Sequence, residues 1–208
     1  MRTPVRPAHR FPMLLIEIVV PMGDTRRDHE LVALGRRIID EIVQEETAPR
    51  AVLDRTKALS RVVFHRPAVS VTGAPGDGPA HRWSVRITLP HDWMPGAGIF
   101  VKRISRLLGK DGVWVYVVPA AEGGLGAEGR LLSQSALTSL ITEPYRSAGH
   151  RPEPGIDPVC GMAVPQAATL ALRFEELDLG FCSEACLLLF AEEHGLPARP
   201  AEMQVPET

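Results

Sequence analysis

Arg82-Trp83-Ser84-Val85-Arg86-Ile87-Thr88-Leu89 alternates polar and apolar side chains without a break. That period of two is the pattern of a strand with one face in a core and the other in water. Toward the N-terminus, the loop Gly73-Ala74-Pro75-Gly76-Asp77-Gly78-Pro79 carries turn chemistry. Before it come a predicted strand over 61–71 and a connecting segment over 48–60 with a short helical turn. From Thr25 to about Thr47, Leu31, Leu34, Ile38, Ile42 and Val43 recur at three- and four-residue steps among charged residues, which predicts an amphipathic helix. An apolar run, Met13 to Val20, predicts the first strand.

Toward the C-terminus the pattern repeats. A second helix is expected from Gly96 to Leu108, burying Ile99, Phe100, Ile104, Leu107 and Leu108 and stopping at Gly109. Val113 to Val118 is apolar on both faces, which predicts a central strand, and Leu131 to Ile141 reads as a further short helix or arm. The order β-α-β-β-α-β defines an α+β class and admits two architectures, a ferredoxin-like sandwich or two tandem β-α-β units. Periodicity does not separate them.

Particular residues favour the second. Pro12-Met13-Leu14-Leu15-Ile16-Glu17-Ile18-Val19-Val20-Pro21 resembles the opening strand of the macrophage migration inhibitory factor-like tautomerases, and Asp111-Gly112-Val113-Trp114-Val115-Tyr116 resembles their last core strand. The resemblance implies a tautomerase-like domain over 12–141 that assembles as a homo-oligomer, a homotrimer above all. It also implies a catalytic role for a proline at the position of Pro12, as a secondary-amine general base in keto–enol chemistry. Pro12 follows Phe11, however, so its nitrogen is an amide without a basic lone pair. The expectation is therefore a scaffold lacking the activity unless processing exposes Pro12.

All three cysteines of the chain lie near its end, in Asp157-Pro158-Val159-Cys160-Gly161-Met162 and Phe181-Cys182-Ser183-Glu184-Ala185-Cys186. With Ser183 as an N-cap, Glu184 to His194 predicts a short helix. Cys182 then sits just before its first turn and Cys186 within it, close enough for both sulfurs to reach one ion. Unpaired N–H groups at a helix start favour thiolate over thiol. A hairpin of about Thr169 to Phe174 and Leu179 to Phe181 would bring Cys160 across. Soft sulfur ligands select Cu(I) or Zn(II); three sulfurs suit Cu(I), whereas structural zinc takes a fourth ligand. Met162, Asp157, His194, water or a group from another protein are the candidates for it. Inert buried thiols are the plainer alternative.

The two motifs together are similar to the YHS domain, of the TRASH-like group of small cysteine modules found in heavy-metal transport ATPases, metal-responsive regulators and multicomponent monooxygenases. The resemblance covers about 157–195 and implies a metal-ligand role for Cys160, Cys182 and Cys186. It departs from many members before the second motif, where Leu177-Asp178-Leu179-Gly180-Phe181 is poor in aromatics, so a shorter or looser hairpin is expected.

The remaining segments complete the organisation: a leader over 1–11, a Pro- and Gly-containing semi-rigid linker over 142–156, and a tail over 196–208. A net charge of −2 with scattered arginines argues against nucleic acid as a partner. No stretch has the length needed to span a bilayer, so a cytoplasmic protein without membrane insertion is expected. Three functions follow. The first is non-enzymatic metal binding for storage, delivery or sensing; the second is a tautomerase that uses a processed Pro12. The third is a structural zinc module that docks on a metal-transport or oxygenase partner.

Overall fold

The computed structural model describes residues 14–71, 82–109, 112–121, 123–127, 129–164 and 170–197. The predicted leader, Pro12, the loop over 73–79 and nearly all of the predicted tail lie outside them.

Four strands form one sheet in the order β2-β1-β3-β4. They are β1 (Leu14–Val19), β2 (Ser60–His65), β3 (Trp83–Pro90) and β4 (Val113–Ala120). β1 pairs with β2 in parallel, β3 with β4 in parallel, and β1 joins β3 antiparallel, with Ile16 opposite Ile87. Each parallel pair is thus one β-α-β unit. In the split arrangement of a ferredoxin-like sandwich another strand separates the first two; their direct pairing rules that alternative out.

Alternation decides which face is buried. Leu14, Ile16 and Ile18 of β1 and Val85, Ile87 and Leu89 of β3 are fully enclosed beneath α1 (Asp28–Ile42) and α3 (Ala97–Leu108). At about 1.5–3 kcal/mol per buried aliphatic side chain, this layer dominates the stability of the α/β body. Gly35 lets α1 approach β2 closely, since a Cβ there would lie 3.2 Å from the Phe64 ring.

Several expectations need correction. β4 is an edge strand, not a central one; its outward residues Trp114 and Tyr116 are 56% and 54% exposed. Its apolar character on both faces reflects one core face and one uncovered aromatic face. The second helix is preceded by a 3₁₀ segment, His91–Gly96, and Ile99 is exposed, because the core contacts of α3 centre on Ile104. The segment before β2 is a full helix, α2 (Arg50–Ala58).

Beyond the sheet lie a short ribbon, β5 (Gly126–Ala127) with β6 (Arg130–Leu131), and α4 (Gln134–Arg146). The arm expected over 131–141 is therefore a longer helix, and the first residues of the expected linker are its last turn. α4 continues through Pro144. A proline there cannot donate to the carbonyl four residues earlier; that carbonyl, of Leu140, instead accepts from Arg55 Nε of α2 at 3.1 Å. Val52 and Leu59 pack with Leu137 and Ile141 beneath this contact. At its far end α4 meets α5 (Glu184–Glu193), where Arg146 pairs with Glu193. The helix therefore joins the sheet body to the cysteine-bearing region.

Candidate metal centre

Backbone hydrogen bonds close the first cysteine loop at its ends. Ile156 bridges Ala163, the Asp157 N–H donates to the Met162 carbonyl at 2.9 Å, and the Gly161 N–H donates to the Asp157 carbonyl at 2.8 Å. Gly161 has φ +74°, and a Cβ at that position would stand 2.5 Å from both Pro49 and Tyr145. Glycine is thus required twice over, by conformation and by close approach.

Asp157 organises the loop. Its side chain is fully buried. Oδ1 accepts the N–H groups of Val159 at 2.8 Å and Cys160 at 3.2 Å, the local turn that Asp favours through its own backbone. Oδ2 accepts the N–H of Cys182 at 2.8 Å. One carboxylate therefore fixes both cysteine segments, which are 25 residues apart.

The second segment arrives through a hairpin, β7 (Ala171–Phe174) and β8 (Leu177–Gly180), after which the Phe181 N–H donates to the Leu170 carbonyl. Ser183 caps α5, its hydroxyl accepting the Cys186 N–H at 3.2 Å. Cys182 thus precedes the helix and Cys186 occupies its first turn, as the spacing predicts. Leu179, Phe181, Leu187 and Phe190 pack around the cysteines.

Cys182 Sγ lies 3.5 Å from Cys160 Sγ and 3.8 Å from Cys186 Sγ. These three sulfurs and an Asp157 oxygen all fall within 4.8 Å of one another. Tetrahedral ligands at a Zn–S length of about 2.3 Å would be separated by about 3.8 Å, so the donor set fits a soft ion by size as well as by chemistry. Hydrogen bonds from the Cys160 and Cys186 thiols hold the Cys182 thiol well below its ordinary pKa. Conversely, Cys160 and Cys186 are pushed up, Cys160 first by its bond to Cys182 and Cys186 first by its contact with Cys160. Burial, and next the Cys182 charge, raise Asp157 to about 6. Cys182 is the exposed member of the three, and Cys160 and Cys186 are buried.

The other candidates divide. Met162 lines a cleft together with the three cysteines. His194 stands apart from the ligand group, its ring against Phe174 and Phe190 at 4.7 and 4.2 Å. Pro12 lies outside the described residues. Sequence reasoning named Asp157 only as a possible ligand and missed its grip on Cys182. The available signal was Asp three residues before Cys160, the spacing of a side chain that caps its own turn. The cleft, of about 370 Å³, was also missed, since its walls come from α1, α2, α3 and α4 as well as from the cysteine loops.

No protein-family model matches this chain, and no curated protein does. Solved structures with a similar fold include a fused 4-OT wild-type symmetric trimer, at 21% identity over 59% of this chain and 96% of that one, TM-score 0.41. Malonate semialdehyde decarboxylase is similar at 19% identity over 62% of this chain and 98% of that one, TM-score 0.39. A protein of unknown function from Vibrio cholerae is similar at 13% identity over 62% and 96%, TM-score 0.36.

Proposed function

We propose that this protein captures one thiophilic metal ion, Cu(I) or Zn(II), through Cys160, Cys182 and Cys186 in a YHS-like module spanning 157–195. The captured ion is held for storage, delivery or sensing on an oligomeric tautomerase-like body spanning 12–141. The observation that carries this reading is the convergence of all three sulfurs and Asp157 on one point from two distant segments. Asp157 already uses three of its roughly four acceptor positions on backbone N–H groups. It therefore acts as the organiser of a three-sulfur site, a coordination that suits Cu(I).

Because only thiolates coordinate and Cys160 and Cys186 are pushed up by their neighbouring sulfurs, capture releases protons and apparent affinity rises with pH. The uncovered aromatic face of β4 supports the oligomer, since exposed Trp114 and Tyr116 are ready to be covered by a second copy.

Native mass spectrometry of freshly isolated, reduced protein, with elemental analysis of the same sample, tests both parts. Close to one Cu or Zn per chain on an oligomer is expected. Metal-free protein that gains no ion on titration with either metal would remove the assignment.

A further inference from the structure

A bare ion held by three sulfurs needs no cavity beside it, yet these sulfurs open onto the cleft of about 370 Å³. That volume lies within the range of small-molecule sites, roughly 300–1,000 Å³. Away from the sulfurs its lining is mostly apolar and comes from the α/β body and α4: Val43, Val52, Trp93, Phe100 and Ile141, with Ile99 at the exposed rim.

Several polar side chains in the lining are already engaged with backbone. Thr56 donates to the Val52 carbonyl and Thr142 to the Thr138 carbonyl, each at 2.8 Å. Arg103 donates to the carbonyls of Ile42 and Gln44 at 3.1 and 3.2 Å. The two hydroxyls and Arg103 Nη1 are thus satisfied within the chain. The soft donors of the cleft are its three sulfurs, with Cys182 the exposed one.

We propose that the cleft and the cysteines form one composite site for a soft metal cation that carries an apolar organic substituent, the sulfurs holding the metal and the apolar wall holding the carbon group. This rests on the metal-capture reading and names the class of cargo that the site accepts. A Cys182 sulfur–metal bond forms as the thiol proton and the cation's labile counter-ligand leave together; the metal–carbon bond stays intact and no electrons are transferred.

The test uses the full chain with phenylmercury and methylmercury cations, each in competition with glutathione, which supplies the reference affinity of a thiol in open water. Wild type is expected to prefer phenyl over methyl by at least about tenfold more than glutathione does, given the extra apolar area buried. Two variants probe the wall. Gly96 lines the cleft, has φ −84°, and a Cβ there would meet nothing within 4 Å, so Gly96→Phe fills the space without backbone strain. Ile99→Asp places a charge at the rim, on a side chain that is 53% exposed. Both should bring the phenyl-to-methyl ratio down to that of glutathione.

A wild-type ratio equal to that of glutathione, or one unchanged in both variants, overturns the composite site. Zn(II) and Cu(I) titrations of wild type and Cys182→Ser separate that failure from the other. Cysteine-dependent capture of the bare ion without a phenyl preference removes only this inference. Loss of all cysteine-dependent binding removes the metal-capture reading and this inference with it.

Discussion

The sheet body and the cysteine-bearing region are held together by different physics. In the body, the fully buried side chains of β1, β3, α1 and α3 are aliphatic, and their stabilisation depends on area removed from water. Around the cysteines a smaller apolar cluster surrounds a buried carboxylate and two buried thiols. Polar groups in such a place are costly unless every partner is present. The span 157–195 is also close to the ~40-residue size below which metals or disulfides are usually needed for independent stability. Folding of the body should thus be indifferent to metal, whereas order around the cysteines should be linked to it.

The largest expected effect tests that linkage at the ion. Cys182→Ser removes the sulfur that contacts both others and should weaken Zn(II) or Cu(I) binding by more than the ~10–100-fold typical of outer-shell changes. Competition with a chromogenic chelator measures it. Amide exchange in β1 and β3 should not change. Tight binding that survives in Cys182→Ser would falsify the three-sulfur assignment.

Next in size is a change on the other side of the contrast. Ile38→Ala empties a fully buried position of α1 and should cost about 2–5 kcal/mol in denaturant unfolding. Metal stoichiometry under native conditions should stay the same. If it falls in parallel with stability, the two regions unfold as one and the contrast fails.

Asp157→Asn sharpens the comparison from within the cysteine region. The amide keeps the volume but replaces one acceptor oxygen with an NH₂ group. Its carbonyl can serve Val159 and Cys160, while the Cys182 N–H then faces a donor. A loss of about 1–3 kcal/mol follows from one buried unsatisfied group. Faster hydrogen exchange at the Cys182 amide, with the amides of β1 unchanged, is the expected signature; uniform loss of protection would show that Asp157 supports the whole molecule.

How much of this was legible in the sequence follows the same divide. The alternation in β3 and the heptad-like spacing of Leu31, Leu34 and Ile38 are local periodicities, so the β-α-β-β-α-β order could be read directly. β4 was misplaced because an apolar outward face reads the same whether another layer of the chain or nothing covers it. α4 looked shorter than it is because Pro144 normally stops a helix, and its continuation depends on Arg55 from a different helix. At the centre, the cap by Ser183 and the placement of Cys182 and Cys186 are short-range. The bond from the Cys182 N–H to Asp157 and the apolar wall of the cleft join residues far apart in the chain, and no local pattern encodes them.

The smallest effect concerns the hairpin that delivers Cys182. Glu175 lies between β7 and β8 with φ +53°, a conformation disfavoured by a side chain and natural for glycine or asparagine in a tight hairpin turn. Glu175→Gly relieves that strain, but it also gives the unfolded chain more freedom, which offsets part of the gain. The net should be a stabilisation of about 0.5–1 kcal/mol, seen as slower exchange of the Leu172 and Leu179 amides. Because the turn sets the register that carries Phe181 and Cys182 to Asp157, metal affinity should rise slightly or hold in step with it. A hairpin made more stable with a weaker metal site would mean that strain at Glu175 helps to position Cys182, and the two regions would then differ in stored strain as well as in polarity.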